Sequence, residues 1–159
     1  MSKDKIILFD LDGTLIESTD AIVSTFYHSF NELDFKFKGS DDDIKSLIGY
    51  PLDIMYKELG IEDDKINDFI TSYKNRYRVI STEQTTLLEN ALEAVELATK
   101  IGRVSVVTTK TRMYTIPLLE HFGIAHFFEV VTGREYVENP KPHPEPILTT
   151  LEQMNYDKE

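Results

Sequence analysis

An α/β fold, a parallel sheet with an all-helical block spliced in after its first strand, is what this sequence predicts, and three observations predict it. Short apolar runs rich in β-branched residues recur at residues 5–9 ("KIILF"), at "RVSVVT" and at "FFEVVTG", the pattern of strands covered on both faces. Helical patterns separate the last two and follow the third, the alternation of a parallel sheet. Between the first run and the second lies a long stretch, residues 18–78, whose apolar residues repeat at helical spacing with no strand pattern among them.

Taken in order, "STDAIVSTFYHSFNEL" repeats apolar residues at Ile22, Phe26 and Phe30, with Val23 and Leu33 widening the stripe. In "GSDDDIKSLIG", Ser40 or Asp41 suits an N-cap, the acids that follow favour the positive end of the helix dipole, and Gly49 is placed to end the helix. Two further helices are expected near residues 52–59 and 64–77. After "STEQTTLLEN" a helix over residues 90–100 ends at Gly102 and feeds the second strand. "RMYTIPLLEHFG" predicts a helix that either starts after Pro117 or kinks there. "REYVENPKPHPEP" is a proline-rich loop, and "PILTTLEQMN" resumes a helix whose proline sits in the tolerated first turn.

With 159 residues, 41% apolar and 28% charged, the chain has the material for one medium domain, or a domain with an insertion, and a substantial core. A net charge of −11 argues against holding nucleic acid or an anionic membrane, both of which need clustered cations. Small ligands stay open. The absence of cysteine removes disulfides, thiolate zinc sites and thiol nucleophiles, and fits a reducing compartment. The first apolar run is too short for a signal peptide, and no stretch approaches a bilayer span. The expectation is a soluble, cytoplasmic protein.

Open parallel sheets bind ligands beyond the carboxyl ends of their strands. There the first strand carries Asp10, Asp12, Gly13 and Thr14, the second Thr108, Thr109 and Lys110, and the loop after the third Lys141. Each has a plain alternative when taken alone: "DG" is ordinarily a turn, a threonine ending a strand is unremarkable, and a lysine between prolines is ordinarily a solvated loop residue. An EF-hand is excluded, because Gly13 is fourth from Asp10 where the calcium loop needs its glycine sixth. At one edge of one sheet, two carboxylates, one or two hydroxyls and an ammonium make a set that fits a phosphoryl group with a divalent cation.

These three ordered motifs, "DLDGT", "VVTTK" and "NPKPHPEP", resemble those of the haloacid dehalogenase-like superfamily, particularly its phosphoglycolate phosphatase-like members. The resemblance implies a Rossmann-like core, residues 1–16 and 84–159, and an α-helical cap, residues 17–83. It implies Asp10 as nucleophile, Asp12 as general acid and base, Thr108 as phosphate binder, Lys141 as the positive anchor, and Mg2+ held by the Asp10 carboxylate and the Asp12 backbone carbonyl. Thr109 stands where the family often has asparagine. Gly49, in the cap sequence "IGYP", stands in a loop that the family often points at substrate. The implied activity is Mg2+-dependent hydrolysis of a small phosphorylated metabolite through an aspartyl-phosphate. Phosphoglycolate and pyrophosphate are the family's candidates. A sugar-phosphate mutase would use the same nucleophile, and a phosphate-binding or interaction protein with little turnover would keep the same pocket.

The four histidines, 28, 121, 126 and 143, show no ligand spacing and are read as structural. Phe26, Tyr27, Phe30, Phe35 and Phe37 are read as cap core, since no cationic groove accompanies them. Asp41, Asp42 and Asp43 are read as helix-start acids. Members of the family continue into a fourth strand ending in a "GD" motif whose acid completes the Mg2+ shell. No "GDxxxD" pattern occurs here, and Asp157 and Glu159 fall where a helix should be ending. The expectations are a shortened chain, weakened metal binding and activity, and a first strand whose open edge can pair with another chain.

Overall fold

A computed structural model describes residues 5–156; Asp157 and Glu159 lie outside them. The chain divides into two compact units, Met1–Glu17 with Leu87–Glu159, and Ser18–Thr86. These boundaries lie one residue later on the way out and three later on the way back than the resemblance implies. The chain leaves the first unit through β2 (Ile16–Glu17) and re-enters through β3 (Thr86–Leu87), and these two short strands pair.

In the first unit, β1 (Ile6–Phe9), β4 (Arg103–Val107) and β5 (Val131–Thr132) form a parallel sheet in the order β1-β4-β5. The register pairs Ile6 with Arg103 and Phe9 with Val106, then Val107 with Thr132. Helices α5 (Ala91–Ile101), α6 (Arg112–His121) and α7 (Glu145–Gln153) connect and follow the strands. Central β4 is buried on both faces, Val104, Ser105, Val106 and Val107 all being nearly inaccessible. That is why its sequence is a continuous apolar run and not an alternating one. The core gathers Leu11, Leu15, Val95, Val106, Leu118 and Ile124 among others, each contributing about 1.5–3 kcal/mol by burial.

Two elements depart from expectation, and a third, α6, decides between the two readings that Pro117 leaves open. The third strand is only two residues long, Val131–Thr132, and a 3-10 turn, Ala125–Phe127, runs into the start of the segment predicted as strand. The ladder begins irregularly before it: Glu129 N–H donates to Val104 O, but Val130 N–H is taken by the Ser105 hydroxyl. Helix α6 starts at Arg112 and runs through Pro117. A proline there gives no amide to the carbonyl one turn back. Beyond it, buried Leu118 and Leu119 hold the turns, and the helix closes with Gly123 (φ +70°) donating to Glu120 O and Ile124 donating to Leu119 O, a Schellman cap.

The second unit is helical: α1 (Thr19–Glu32), α2 (Asp41–Lys45), α3 (Leu52–Glu58) and α4 (Ile66–Ile80). The second departure is α2, which ends at Lys45, well before Gly49. Its start is as expected: Ser40 and Asp43 form a capping box, with Ser40 N–H donating to Asp43 Oδ2 at 2.7 Å. Phe26 and Phe30 are buried, and Phe30 touches the rings of Phe35, Phe37, Tyr56 and Phe69. Phe26 and Phe30 are core, while Tyr27, Phe35 and Phe37 pack against Phe30 half-buried. Leu33, expected on the same stripe, is exposed at the end of α1.

Candidate active site

The turn after β1 explains how two carboxylates come to flank a buried leucine. Leu11 is fully buried, so the alternation of an extended chain sends Asp10 and Asp12 to the side opposite the core. The backbone then turns at once. Leu11 O accepts from the amides of Thr14, Leu15 and Ile16 at 3.1, 2.9 and 3.2 Å, and Gly13 N–H donates to Ile16 O at 2.9 Å. Gly13 has φ +77°, a left-handed conformation that side chains resist, although a Cβ there would meet nothing within 4 Å. Conformation, not space, demands glycine at this point.

Each carboxylate has an ammonium. Lys141 Nζ lies 2.8 Å from Asp10 Oδ1 and donates also to Val107 O at 3.1 Å, tying the proline-rich loop to the ends of β1 and β4. Lys110 Nζ lies 3.3 Å from Asp12 Oδ1, with only 11% and 12% of the two side chains exposed. A cation beside each acid offsets their mutual repulsion whenever both are ionised. In the sequence Lys110 stands in the second motif, but nothing there assigns it a role. Its pairing with Asp12 is a long-range contact that no spacing rule displays.

Thr108 follows β4 directly and is buried. Its Oγ1 accepts the Lys110 backbone N–H at 3.1 Å, and a hydroxyl that accepts keeps its own O–H as a donor. Thr109 is half-buried beside it. Gly49 belongs to the helical unit, with φ +110°. His143 Nδ1 accepts the Glu145 N–H at 3.1 Å, a local loop contact.

The loop bearing Lys141 is held by Glu145. Its carboxylate accepts the backbone N–H groups of Glu138 and Asn139 and the Asn139 side-chain amide, each at 2.8 Å. These bonds, the Glu138 amide first, hold the Glu145 carboxyl below the usual carboxylate range.

Among the described residues no cluster of three or more histidine, aspartate or glutamate side chains could hold a metal ion. The oxygen donors of Asp10 and Asp12 nevertheless suit Mg2+, a hard cation that keeps several waters and is commonly held by one or two carboxylates plus a substrate phosphate.

With fold and site in view, the likenesses to known proteins become specific. The model of the haloacid dehalogenase-like hydrolases matches residues 7–159. Over 154 residues the chain is 32% identical to the pyrophosphatase PpaX of Halalkalibacterium halodurans, covering 96% of this chain and 70% of that protein. It is 34% identical over 153 residues to PpaX of Bacillus cereus strain B4264, covering 94% and 68%. A crystal structure of a haloacid dehalogenase-like hydrolase from Bacteroides fragilis superposes with a TM-score of 0.88 at 27% identity, covering 96% of this chain and 73% of that one. The chain belongs to the haloacid dehalogenase-like hydrolases. Within that family it stands with the phosphatases.

Proposed function

We propose that the protein is a Mg2+-dependent phosphatase that hydrolyses a small phosphorylated metabolite in the cytoplasm through an aspartyl-phosphate on Asp10. The observation that carries the reading is the Asp10–Lys141 pair at 2.8 Å, beside the second acid, Asp12. In the first step an Asp10 carboxylate oxygen bonds to phosphorus as the ester P–O bond breaks, and Asp12 gives its proton to the departing oxygen. In the second, water bonds to phosphorus as the Asp10 O–P bond breaks, and Asp12 takes the proton from that water. Both aspartates return to their starting state. One difficult displacement becomes two easier ones.

Lys141 neutralises the nucleophile and the incoming phosphoryl group, and Thr108 offers its O–H to a phosphate oxygen, with Thr109 a second candidate donor. Mg2+, which the Asp10 carboxylate and the Asp12 backbone carbonyl would hold, supplies further neutralisation of phosphoryl charge when bound. We assign Gly49 to contact with the substrate beyond its phosphoryl group. The relatives named pyrophosphatase make pyrophosphate a candidate substrate beside the phosphate monoesters.

Asp10→Asn keeps the size of the side chain and removes the nucleophilic charge. Turnover of every phosphate ester should fall below detection while the folded spectrum and melting temperature stay near wild type. Measurable turnover by a purified, folded Asp10→Asn protein sinks the assignment.

A further inference from the structure

We infer that Lys110 is a positioning residue that fixes the Asp12 carboxylate for proton transfer, separately from the Lys141 pair that serves the nucleophile. The inference rests on the proposed role of Asp12 as the proton-transferring acid and base. Nothing in the motif resemblance gives Lys110 a role.

The geometry begins with the backbone of Lys110, which is held on both sides. Its N–H donates to Thr108 Oγ1 at 3.1 Å, and its carbonyl accepts from Arg134 N at 3.2 Å. The loop after β5 reaches that carbonyl only because residue 133 is glycine: a Cβ there would stand 2.4 Å from Arg112 N and 2.9 Å from Lys110 O. Glu135 adds a second tie, its carboxylate accepting the Arg112 N–H at 2.9 and 3.0 Å. From this base the lysine side chain reaches Asp12 Oδ1 at 3.3 Å, with both groups almost nine-tenths enclosed.

A lysine stem ordinarily has much rotamer freedom. Anchored at its backbone and enclosed along its length, this one holds its charge in one place, and so restrains rotation of the carboxylate it meets. Proton transfer depends on the correct oxygen standing within hydrogen-bond reach of the reacting atom. The pair therefore matters most where the leaving oxygen needs its proton, and little where the leaving group departs unaided.

That difference supplies the test. With Mg2+ present, kcat/KM is measured for an alkyl phosphate and for 2,4-dinitrophenyl phosphate in wild type, Lys110→Met, Lys110→Arg and Asp12→Ala. Lys110→Met should lower kcat/KM for the alkyl ester by about tenfold or more, against less than about threefold for the dinitrophenyl ester, and Lys110→Arg should recover most of the loss. Equal losses on both esters would make Lys110 a substrate-binding charge or a structural residue, and no loss would leave it idle. Either result overturns the inference. If wild type turns over neither ester, or Asp12→Ala loses both equally, the reading of Asp12 itself fails and the inference goes with it. A second measurement needs neither turnover nor a Lys110 variant. In 15N spectra of the lysine side chains, the Lys110 ammonium protons should exchange slowly with water in wild type and faster in Asp12→Asn. Fast exchange in wild type would overturn the pairing.

Discussion

Lys141 and Lys110 reach the two carboxylates from different elements, one from a loop ordered by prolines and Glu145, the other from the end of the central strand. Lys141 was legible because "NPKPHPEP" is an unusual sequence and its lysine completes a motif set. Lys110 was not, because its place after a pair of threonines puts it at the sheet edge without a role, and its partner is a distant residue brought close only by the fold. Removing Lys141 should be costly in a specific way. Lys141→Met leaves the Asp10 carboxylate facing an incoming phosphoryl group with its cation gone, and like charges resist approach. Affinity for inorganic phosphate, measured by calorimetry with Mg2+ present, should weaken by roughly tenfold or more. Unchanged affinity would show that the ammonium serves only the structure of its loop.

At the scale of elements, burial decided where the sequence patterns held. The strand over Arg103–Val107 was legible because both faces are covered and the apolar run is unbroken. The third strand is shorter than its apolar run predicts, since periodicity does not reveal that Ser105 substitutes its hydroxyl for a backbone partner at Val130. Pro117 leaves two readings open in the sequence, a later start or a kink, and the helix beginning at Arg112 excludes the first, because packing carries the turns across one missing hydrogen bond. The loop before α7 is a case where charge does the ordering. The Glu145 carboxyl is held below its ordinary value of about 4.3 in the fold by the Glu138 and Asn139 amides. A depressed folded-state value means stabilisation that is fully present above the unfolded value and lost as pH falls through the folded one. Wild type should therefore melt above Glu145→Gln at neutral pH, and the gap should close as pH drops below about 4. A gap of the same size at pH 3, by calorimetry, would mean that the ionised carboxylate is not what holds the loop.

Over the whole molecule, the labour divides between two units with separate cores. Asp10, Asp12, Thr108, Lys110 and Lys141 all belong to the unit formed by Met1–Glu17 and Leu87–Glu159, whose core includes Leu118. The Ser18–Thr86 unit holds itself together with aromatic rings around Phe30. If phosphate recognition is the property of the first unit, damage to the two cores should be distinguishable at the site. Phe30→Ala removes a buried ring and should cost about 3–5 kcal/mol, and Leu118→Ala about 2–5 kcal/mol, both read from urea unfolding. In protein that is still folded, Phe30→Ala should leave affinity for inorganic phosphate within about threefold, because no group assigned to the phosphoryl centre comes from that unit, whereas turnover of a full substrate can fall. Leu118→Ala opens a cavity in the core cluster that also holds Leu11, Val106 and Val131, and should weaken phosphate binding as well, since neighbouring side chains relax toward such a cavity. Loss of phosphate binding in folded Phe30→Ala protein would contradict this division and would place part of the phosphoryl recognition on the helical unit.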